Sequence, residues 1–215
     1  MPDSPDAQVL KNRRPLAARR TRLAGAAARW LTARGASPDA ISAAGIGFAL
    51  LACAALAFAP DRPALWLAAA LLVQLRLLAN LLDGMVAVEG GRGGPVGPLW
   101  NEAPDRIEDA AILYGFGLAA GAPELGLWAA LAAFLTAYLR VLGGSLGLPQ
   151  SFAGPMAKQH RMAAVTFGCA LGLAEALAGG GWGLPRLLLA AILAGTLATA
   201  LRRTLAIAAE LKARG

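Results

Sequence analysis

Six runs of apolar residues, each close in length to a membrane-spanning helix, constrain this chain more than any other feature. The runs cover residues 41–59, 64–82, 110–121, 125–142, 162–177 and 187–209. A hydrocarbon core about 30 Å thick needs roughly 20 mostly apolar residues of helix. The third run reaches that length only if its helix begins near Asp105. The sequence therefore predicts an all-α integral membrane fold with six transmembrane helices.

The composition supports lipid as the solvent of this chain. Hydrophobic residues make up 57% of the sequence and charged residues only 15%, whereas soluble domains carry about 25% charged residues. Ala, Leu and Gly dominate, which favours closely packed helices over a barrel with alternating apolar and polar strand positions. The two cysteines, Cys53 and Cys169, lie inside apolar runs without metal-ligand spacing, so we interpret them as packing residues.

The basic residues predict the orientation in the membrane. The formal net charge is +7, which in a soluble protein would suggest a nucleic acid partner, but here the basic residues flank apolar runs. With a cytoplasmic N-terminus, the external loops 60–63, 121–124 and 178–186 hold only Arg62 and Arg186 of the 20 basic residues. The positive-inside rule then places both termini on the cytoplasmic side of a bacterial inner membrane. We expect no nucleic acid partner.

Residues 1–36 form a basic N-terminal segment ahead of the membrane domain, which we place at residues 37–215. Residues 1–9 are expected to be disordered. Apolar residues then recur at roughly helical spacing between Leu16 and Leu31, which predicts an amphipathic helix on an anionic membrane surface. These residues are Leu16, Leu23, Ala27, Trp30 and Leu31. The alternative is a disordered basic tail that only sets the topology.

Oxygen-bearing side chains cluster where the second span ends and the third begins. Asn80 and Asp83 are three residues apart, and Asn101, Asp105 and Asp109 follow at intervals of four. Each set lies on one face of its helix, and the two sets converge if the helices are neighbours. Carboxylates beside spanning helices are costly in lipid, so we expect them to face a wet cavity. Hard oxygen ligands of this kind suit Mg²⁺, Mn²⁺ or Ca²⁺.

The same segment resembles the signature of the CDP-alcohol phosphotransferase family, Asp-x2-Asp-Gly-x2-Ala-Arg-x8-Gly-x3-Asp-x3-Asp. The chain keeps every spacing and five of the eight fixed residues, which are Asp83, Gly84, Ala87, Gly97 and Asp105. It departs at the other three, with Asn80, Val88 and Asn101 in place of Asp, Arg and Asp. The entry to the first span at Ser37-Pro38 and the Ala157-Lys158 pair also resemble the family. We interpret the two asparagines as the pattern of a subfamily.

The resemblance implies roles for the signature residues. Family members bind a divalent metal, Mg²⁺ or Mn²⁺, at the first three aspartates and use the fourth as the base. Carried over, Asn80, Asp83 and Asn101 would be ligands and Asp105 the base. A shift by one helical turn is an alternative, with Asp105 as a ligand and Asp109 as the base. The residues expected at the CDP-linked donor are Gly84, Ala87 and Gly97, since small residues let backbone approach a bulky ligand.

The resemblance also implies an activity: an acceptor hydroxyl attacks the β-phosphate of the donor and CMP leaves. The donor expected is CDP-diacylglycerol, the acceptor a small alcohol, the product a phospholipid and the assembly a homodimer. Arg140, Lys158 and Arg161 would share the cytoplasmic side and bind an acceptor or headgroup phosphate, unless they only set the topology. The alternatives are a catalytically impaired member that binds nucleotide or lipid without turnover, and a transporter, for which no inverted repeat is visible.

Overall fold

The structure is a computed structural model that describes residues 21–89 and 96–214, without the side chains of Glu89, Pro98 and Asn101. Within those residues the chain forms seven α-helices and no strand, which confirms the all-α prediction. The helices are α1 Arg22–Ala33, α2 Pro38–Ala57, α3 Ala64–Glu89, α4 Gly97–Ala119, α5 Pro123–Ser145, α6 Lys158–Leu177 and α7 Leu184–Lys212.

Each predicted apolar run overlaps one of the helices α2 to α7. Four of these helices, α2, α3, α5 and α7, are long and apolar enough to cross a membrane. Helix α4 has 23 residues because it begins at Gly97, well before the apolar run, and its first turns are charged. Helix α6 has 20 residues and also begins with charged residues, at Lys158. These charged beginnings are where the candidate site lies.

Local sequence explains where two of the helices begin. Ser37 caps α2 by accepting a hydrogen bond from the Ala40 backbone N–H at 3.2 Å, and Pro38 occupies the first turn, where its missing N–H has no cost. Glu175, near the end of α6, accepts from the backbone N–H groups of Gly183 and Leu184 at 2.8 and 2.9 Å. That carboxylate therefore satisfies donors at the start of α7 and ties the two helices together.

The helices pack in a fixed order around α4. Helix α2 lies against α3 and α4, α5 joins α4 to α7, α6 joins α3 to α7, and α1 rests on α3. Glycine permits the closest approaches: a Cβ on Gly115 would lie 2.7 Å from Cys53 Cα, and one on Gly117 would lie 2.8 Å from Gly126 Cα. Such small-residue contacts let backbones pack tightly where lipid removes the hydrophobic drive between helices.

A large cluster of buried apolar residues fills one half of the bundle. The Trp66 and Phe116 rings meet edge to face with centroids 6.3 Å apart, and Cys169 is buried beside them as a free thiol. We call the buried cluster around these three side chains the apolar core. Large apolar residues also point outward, and Leu67 and Trp128 are exposed over 66% and 62% of their surface. Such an exterior suits lipid rather than water.

Helix α1 lies beside the membrane bundle. Its small residues Ala24 and Ala28 are buried in a cluster with Met85 and Val86 of α3, while Leu23 is 84% exposed. The described part of this segment begins at Thr21, whose side chain caps the helix. The expectations for residues 1–20, including the helical start near residue 16, lie outside the described residues.

Candidate active site

Two helix faces bring charged and amide side chains together where α3 ends and α4 begins. Spacings of three and four residues place such side chains on one face of a helix. Helix α6 adds two cations to the same place. We call the whole set the charged centre: Arg76, Asn80 and Asp83 on α3, Asp105, Glu108 and Asp109 on α4, and Lys158 and Arg161 on α6.

Arg76 is the most deeply buried member of the charged centre, with no exposed surface. Its Nε donates to Glu108, and its NH2 donates to Asp109 at 2.7 Å and lies 3.8 Å from Asp105. Removing such a guanidinium from water costs several kcal/mol unless anions and hydrogen bonds compensate. The three carboxylates at the start of α4 provide that compensation, so this ion-pair network joins α3 to α4.

Asn80 lies between two of those carboxylates. Its Nδ2 donates to Asp105 Oδ1 at 2.7 Å and to Glu108 Oε2 at 2.9 Å. The side-chain oxygen of Asn80 is on the other side, 3.3 Å from the place where a Cβ on Gly45 would stand. Asn80, expected as a metal ligand through its oxygen, is placed by the structure as a hydrogen-bond donor.

Glu108 has no exposed surface. Among the described residues, nothing forms a hydrogen bond with its Oε1, which packs against helix α2. A Cβ on Gly45 would stand only 2.6 Å from that oxygen. Gly45 is therefore required sterically, because any larger residue would displace the Glu108 carboxylate. The sequence analysis assigned no role to either residue.

Asp83 is held from the α2 side. Ser42 Oγ donates to Asp83 Oδ2 at 2.7 Å, and both residues are buried. The carboxylate lies within electrostatic range of Asp105 and Lys158. A hydrogen bond to a charged acceptor contributes about 1.5–3 kcal/mol, so Ser42 fixes the rotamer of Asp83. The signature residue is thus oriented by a helix outside the signature.

Asp109 is fully engaged by two arginines. Its Oδ1 accepts from Arg76 and its Oδ2 accepts from Arg161 NH2 at 2.8 Å. Arg161 is itself only 3% exposed and donates through NH1 to the Met156 carbonyl at 3.0 Å. Met156 N–H in turn donates to Thr199 Oγ1 at 2.9 Å. Asp109 and Arg161 therefore link α4 to the start of α6 and to α7.

Lys158 and Asp105 form the accessible part of the charged centre. The Lys158 ammonium contacts Asp105 Oδ1, and their side chains are 19% and 22% exposed, whereas that of Asp109 is 7% exposed. A group that exchanges a proton with a substrate has to be reachable. By this geometric criterion Asp105 is the better placed of the two carboxylates that the sequence analysis considered as a base.

Arg140 of α5 lies in a second cluster at the same end of the bundle. It pairs with Glu102, donates to Gln150 and lies 5.3 Å from the centre of the Phe152 ring. Glu102 also pairs with Arg106. Arg140 and Arg203 line a small cavity between α5 and α7. The structure thus places Arg140 beside a cavity and apart from Arg161, which is buried against Asp109.

The remaining signature residues lie on the same stretch of chain. Gly84 and Ala87 are half-buried on α3, and Gly97 begins α4. Among residues 21–89 and 96–214, no atom lies within 4 Å of a Cβ placed on Gly97, so packing against these residues does not require a glycine there. Asn101 lies within α4, but its side chain is outside the described part of the structure. Its expected role as a ligand stays a prediction.

The donor chemistry of the site suits a hard divalent cation. Asp83 and Asp105 offer carboxylate oxygens, the ligands that Mg²⁺ and Mn²⁺ prefer. Among residues 21–89 and 96–214, no group of three or more His, Cys, Asp or Glu side chains is arranged as a metal site. Within the described residues the fit therefore rests on these two carboxylates, with Lys158 already beside Asp105.

Four residues that hold the site together were not predicted from the sequence: Ser42, Gly45, Arg76 and Glu108. A signal existed for Arg76, because it lies four residues before Asn80 and so shares its helix face. A signal also existed for Glu108, three residues beyond Asp105. Nothing in the sequence pointed to Ser42 or Gly45, since their roles depend on how α2 packs against α3 and α4.

Sequence comparison gives three informative relatives, although no protein-family model matches the chain. The chain is 30% identical over 149 residues to the phosphatidylinositol phosphate synthase of Streptomyces avermitilis, covering 66% of this chain and 59% of that protein. It is 30% identical over 149 residues to the inner membrane protein YnbA of Escherichia coli, covering 69% and 72%. An archaetidylinositol phosphate synthase of Aeropyrum pernix is 33% identical over 98 residues, covering 46% and 50%.

Solved structures share the fold. A crystal structure of the Mycobacterium tuberculosis phosphatidylinositol phosphate synthase PgsA1 with CDP-DAG bound superposes with a TM-score of 0.70 at 21% identity, covering 87% of this chain and 94% of that one. The same enzyme in complex with manganese and citrate gives a TM-score of 0.69, covering 86% and 88%. At this identity the likeness concerns the fold alone.

The fold and the comparisons assign this chain to a family of membrane proteins. Four apolar helices of spanning length and relatives that include an inner membrane protein make this a multi-pass membrane protein. With the signature spacing from position 80 to position 105 and the similarity to two named synthases and to YnbA, the chain belongs to the CDP-alcohol phosphotransferase family.

Proposed function

We propose that this protein transfers a phosphatidyl or other phospho-alcohol group from a CDP-linked donor to an alcohol acceptor and releases CMP, as a step of phospholipid synthesis. One observation carries the proposal. Asp105, a carboxylate of the signature, pairs with Lys158 at an accessible end of the bundle, and the buried signature carboxylate Asp83 lies within electrostatic range of both. The bound CDP-DAG of the related structure supports CDP-diacylglycerol as the donor. Two of the relatives are named as synthases. We therefore do not favour the alternative of a catalytically impaired member that binds nucleotide or lipid without turnover.

Asp105 serves as the base in this proposal. Its carboxylate accepts the proton of the acceptor hydroxyl, whose oxygen attacks the β-phosphorus of the donor. The bond from that phosphorus to the CMP oxygen breaks, and CMP departs with its electron pair. Asp109 cannot easily serve in this way, because Arg76 and Arg161 occupy both of its oxygens. We propose that Asp109 instead anchors α6, which sets the position of Lys158.

A divalent cation, Mg²⁺ or Mn²⁺, would be held by Asp83 and Asp105 and by the expected amide ligand Asn101. Asn80, whose Nδ2 faces Asp105 and Glu108, would orient Asp105 rather than bind the ion. When bound, the cation neutralises negative charge on the pyrophosphate. The manganese complex of the related synthase supports a divalent ion without choosing between the two. Ser42 contributes by holding Asp83 in one rotamer. The small, half-buried residues Gly84, Ala87 and Gly97 would let the CDP group approach the backbone.

The acceptor phosphate or headgroup would meet cations on the α5 and α6 side of the site. Lys158 lies beside Asp105, and Arg140 lines the cavity between α5 and α7. Guanidinium groups suit phosphate through paired hydrogen bonds. Arg161 has a different role in this proposal, because its contacts with Asp109 and Met156 leave it buried. It would position the start of α6 rather than contact the acceptor.

The arrangement in the membrane is also proposed. We propose that all six helices α2 to α7 cross the bilayer with both termini in the cytoplasm, and that α1 lies at the interface with Leu23 towards lipid. The charges of α4 and α6 would then gather at the cytoplasmic ends, where a soluble nucleotide can reach them. A homodimer, and a subfamily with asparagine at positions 80 and 101, belong to the same proposal.

CMP release by purified protein in detergent tests the reaction. The assay contains CDP-diacylglycerol, a panel of small alcohols and phosphorylated alcohols as acceptors, and Mg²⁺ or Mn²⁺ against EDTA. We expect metal-dependent release with one acceptor. Asp83→Asn and Asp105→Asn should each lower kcat at least about a hundredfold, since each removes a charge that the reaction needs.

Asp61→Asn is the matched control, because it neutralises an exposed carboxylate far from the site. It should keep full activity. If Asp83→Asn and Asp105→Asn also keep full activity, the site has been placed wrongly. If the wild-type protein releases no CMP with any acceptor but binds a cytidine nucleotide, the impaired alternative replaces the proposal.

A further inference from the structure

The amide at position 80 has a partner that the family signature does not contain. Where the signature has aspartate, this chain has Asn80, whose Nδ2 lies 2.9 Å from Glu108 Oε2. Glu108 occupies a position that the signature leaves free, three residues beyond Asp105. An amide thus stands where an acid is expected, and a buried acid stands where none is specified.

The direction of the hydrogen bonds is dictated by chemistry. Nδ2 of Asn80 faces two carboxylate oxygens, Asp105 Oδ1 at 2.7 Å and Glu108 Oε2. Turning the amide over would place its carbonyl oxygen against both carboxylates and remove two charge-assisted hydrogen bonds. Asn80 is therefore a donor at this place, and an aspartate there would have no proton to donate.

Glu108 has little freedom to move away from residue 80. Arg76 Nε donates to the same oxygen, Oε2, that accepts from Asn80. The other oxygen, Oε1, packs against Gly45 of α2, and the side chain has no exposed surface. A carboxylate at position 80 would consequently face a fixed carboxylate at hydrogen-bonding distance in a buried environment, where repulsion is poorly screened.

We infer that Asn80 and Glu108 form a matched pair, in which the buried acid at position 108 requires an amide at position 80. Asn80 is a positioning residue that orients Asp105 through Nδ2, and Glu108 fixes the orientation of the Asn80 amide. Aspartate at position 80 is then compatible with this chain only when residue 108 is uncharged. The inference deepens the proposed function, and the part of its test that uses turnover rests on that function.

Four proteins test the matched pair: wild type, Asn80→Asp, Glu108→Gln, and the double variant. The double variant carries the same total charge as wild type. With glutamate at position 108, Asn80→Asp should lower kcat by a factor at least about ten times larger than with glutamine there. Such non-additivity is typical of residues in direct contact. The donor KM should differ much less, because Asn80 acts through Asp105. In both backgrounds Asn80→Asp also introduces repulsion between the carboxylates at positions 80 and 105. This repulsion is the same in the two backgrounds, so it does not contribute to the difference between them.

The melting temperature in detergent with EDTA gives a second measurement that needs no turnover. Asn80→Asp should lower it about 2–4 °C more in the wild-type background than in the Glu108→Gln background. Gln74→Glu is the matched control, since it changes an amide to a carboxylate on the same helix, where Gln74 contacts Thr166 instead. Its effect should be the same in both backgrounds.

The results that would overturn the inference differ from those that would overturn the proposed function. An equal effect of Asn80→Asp in both backgrounds, including failure to fold in both, would overturn the matched pair. So would a gain in kcat from Asn80→Asp alone, because residue 80 would then be a weakened metal ligand. If wild type shows no turnover, the proposed function fails, while the melting temperatures still decide whether positions 80 and 108 are coupled.

Discussion

The charged centre and the apolar core lie in the same helices and use glycine in different ways. In α3, Trp66 belongs to the apolar core and Arg76 to the charged centre, ten residues and therefore about 15 Å further along. In the apolar core Gly172 makes room for the Trp66 ring, and a Cβ there would stand 2.6 Å from ring atoms. In the charged centre Gly45 makes room for a carboxylate at the same distance.

The apolar core and the charged centre should therefore respond differently to substitutions. Apolar contacts are numerous, individually weak and free of direction, so the apolar core can adjust to a change of shape. The charged centre depends on a few directional bonds, and removing one partner leaves another charge buried and unpaired. We therefore expect substitutions in the apolar core to lower stability alone, and substitutions in the charged centre to lower turnover as well.

Arg76→Met should have the largest effect. Methionine keeps much of the volume but leaves Glu108 without its charged partner and Asp109 with Arg161 alone. Breaking a buried ion pair in this way costs about 3–5 kcal/mol. Melting in detergent, with the yield of folded protein on size exclusion, measures the loss. A protein as stable as wild type would contradict the view that this network holds α3 to α4.

Gly45→Ala and Gly115→Ala compare the two halves with one chemical change. Each adds a Cβ that would overlap a neighbour, at 2.6 Å from Glu108 Oε1 and at 2.7 Å from Cys53 Cα. Both should cost about 1–3 kcal/mol of stability. Only Gly45→Ala should also lower kcat for CMP release per folded molecule, because it displaces the carboxylate that holds Asn80. Equal kcat values for the two variants would contradict the view that only the charged centre affects turnover.

Cys169→Ala should have the smallest effect. The thiol is 1% exposed in the apolar core, and its removal leaves a small cavity that costs about 1 kcal/mol. The melting temperature should fall slightly, while kcat and KM remain those of wild type. A change in turnover from this substitution would show that the apolar core is coupled to the reaction.

The sequence predicted much of the fold but less of the site. Continuous apolar runs located the membrane helices, because each lipid-exposed span must satisfy its own backbone hydrogen bonds and is therefore marked by its length and apolarity alone. The start of α4 at Gly97 was harder to predict, since its first turns are charged and resemble a loop. The candidate site was predicted from spacing and from the family signature, and the structure has Asp83 on α3 and Asp105 on α4.

The roles within the site could not be obtained in the same way. Asn80 was predicted as an oxygen ligand, and the structure shows its nitrogen facing the carboxylates. Asp109 was considered as a base, and two arginines from different helices surround it. In both cases the deciding partners are at least 25 residues away in sequence, so no local pattern contains them.

The sequence by itself therefore determined that this chain enters the membrane, where its helices run, and which short segment carries the family signature. These properties follow from local rules: apolar length, helical spacing and the positions of a few fixed residues. Only the tertiary structure decided which signature side chains donate, accept or remain accessible. Hydrogen-bond direction and burial depend on what faces a side chain across a helix interface, and at Glu108 that neighbour is a glycine of α2.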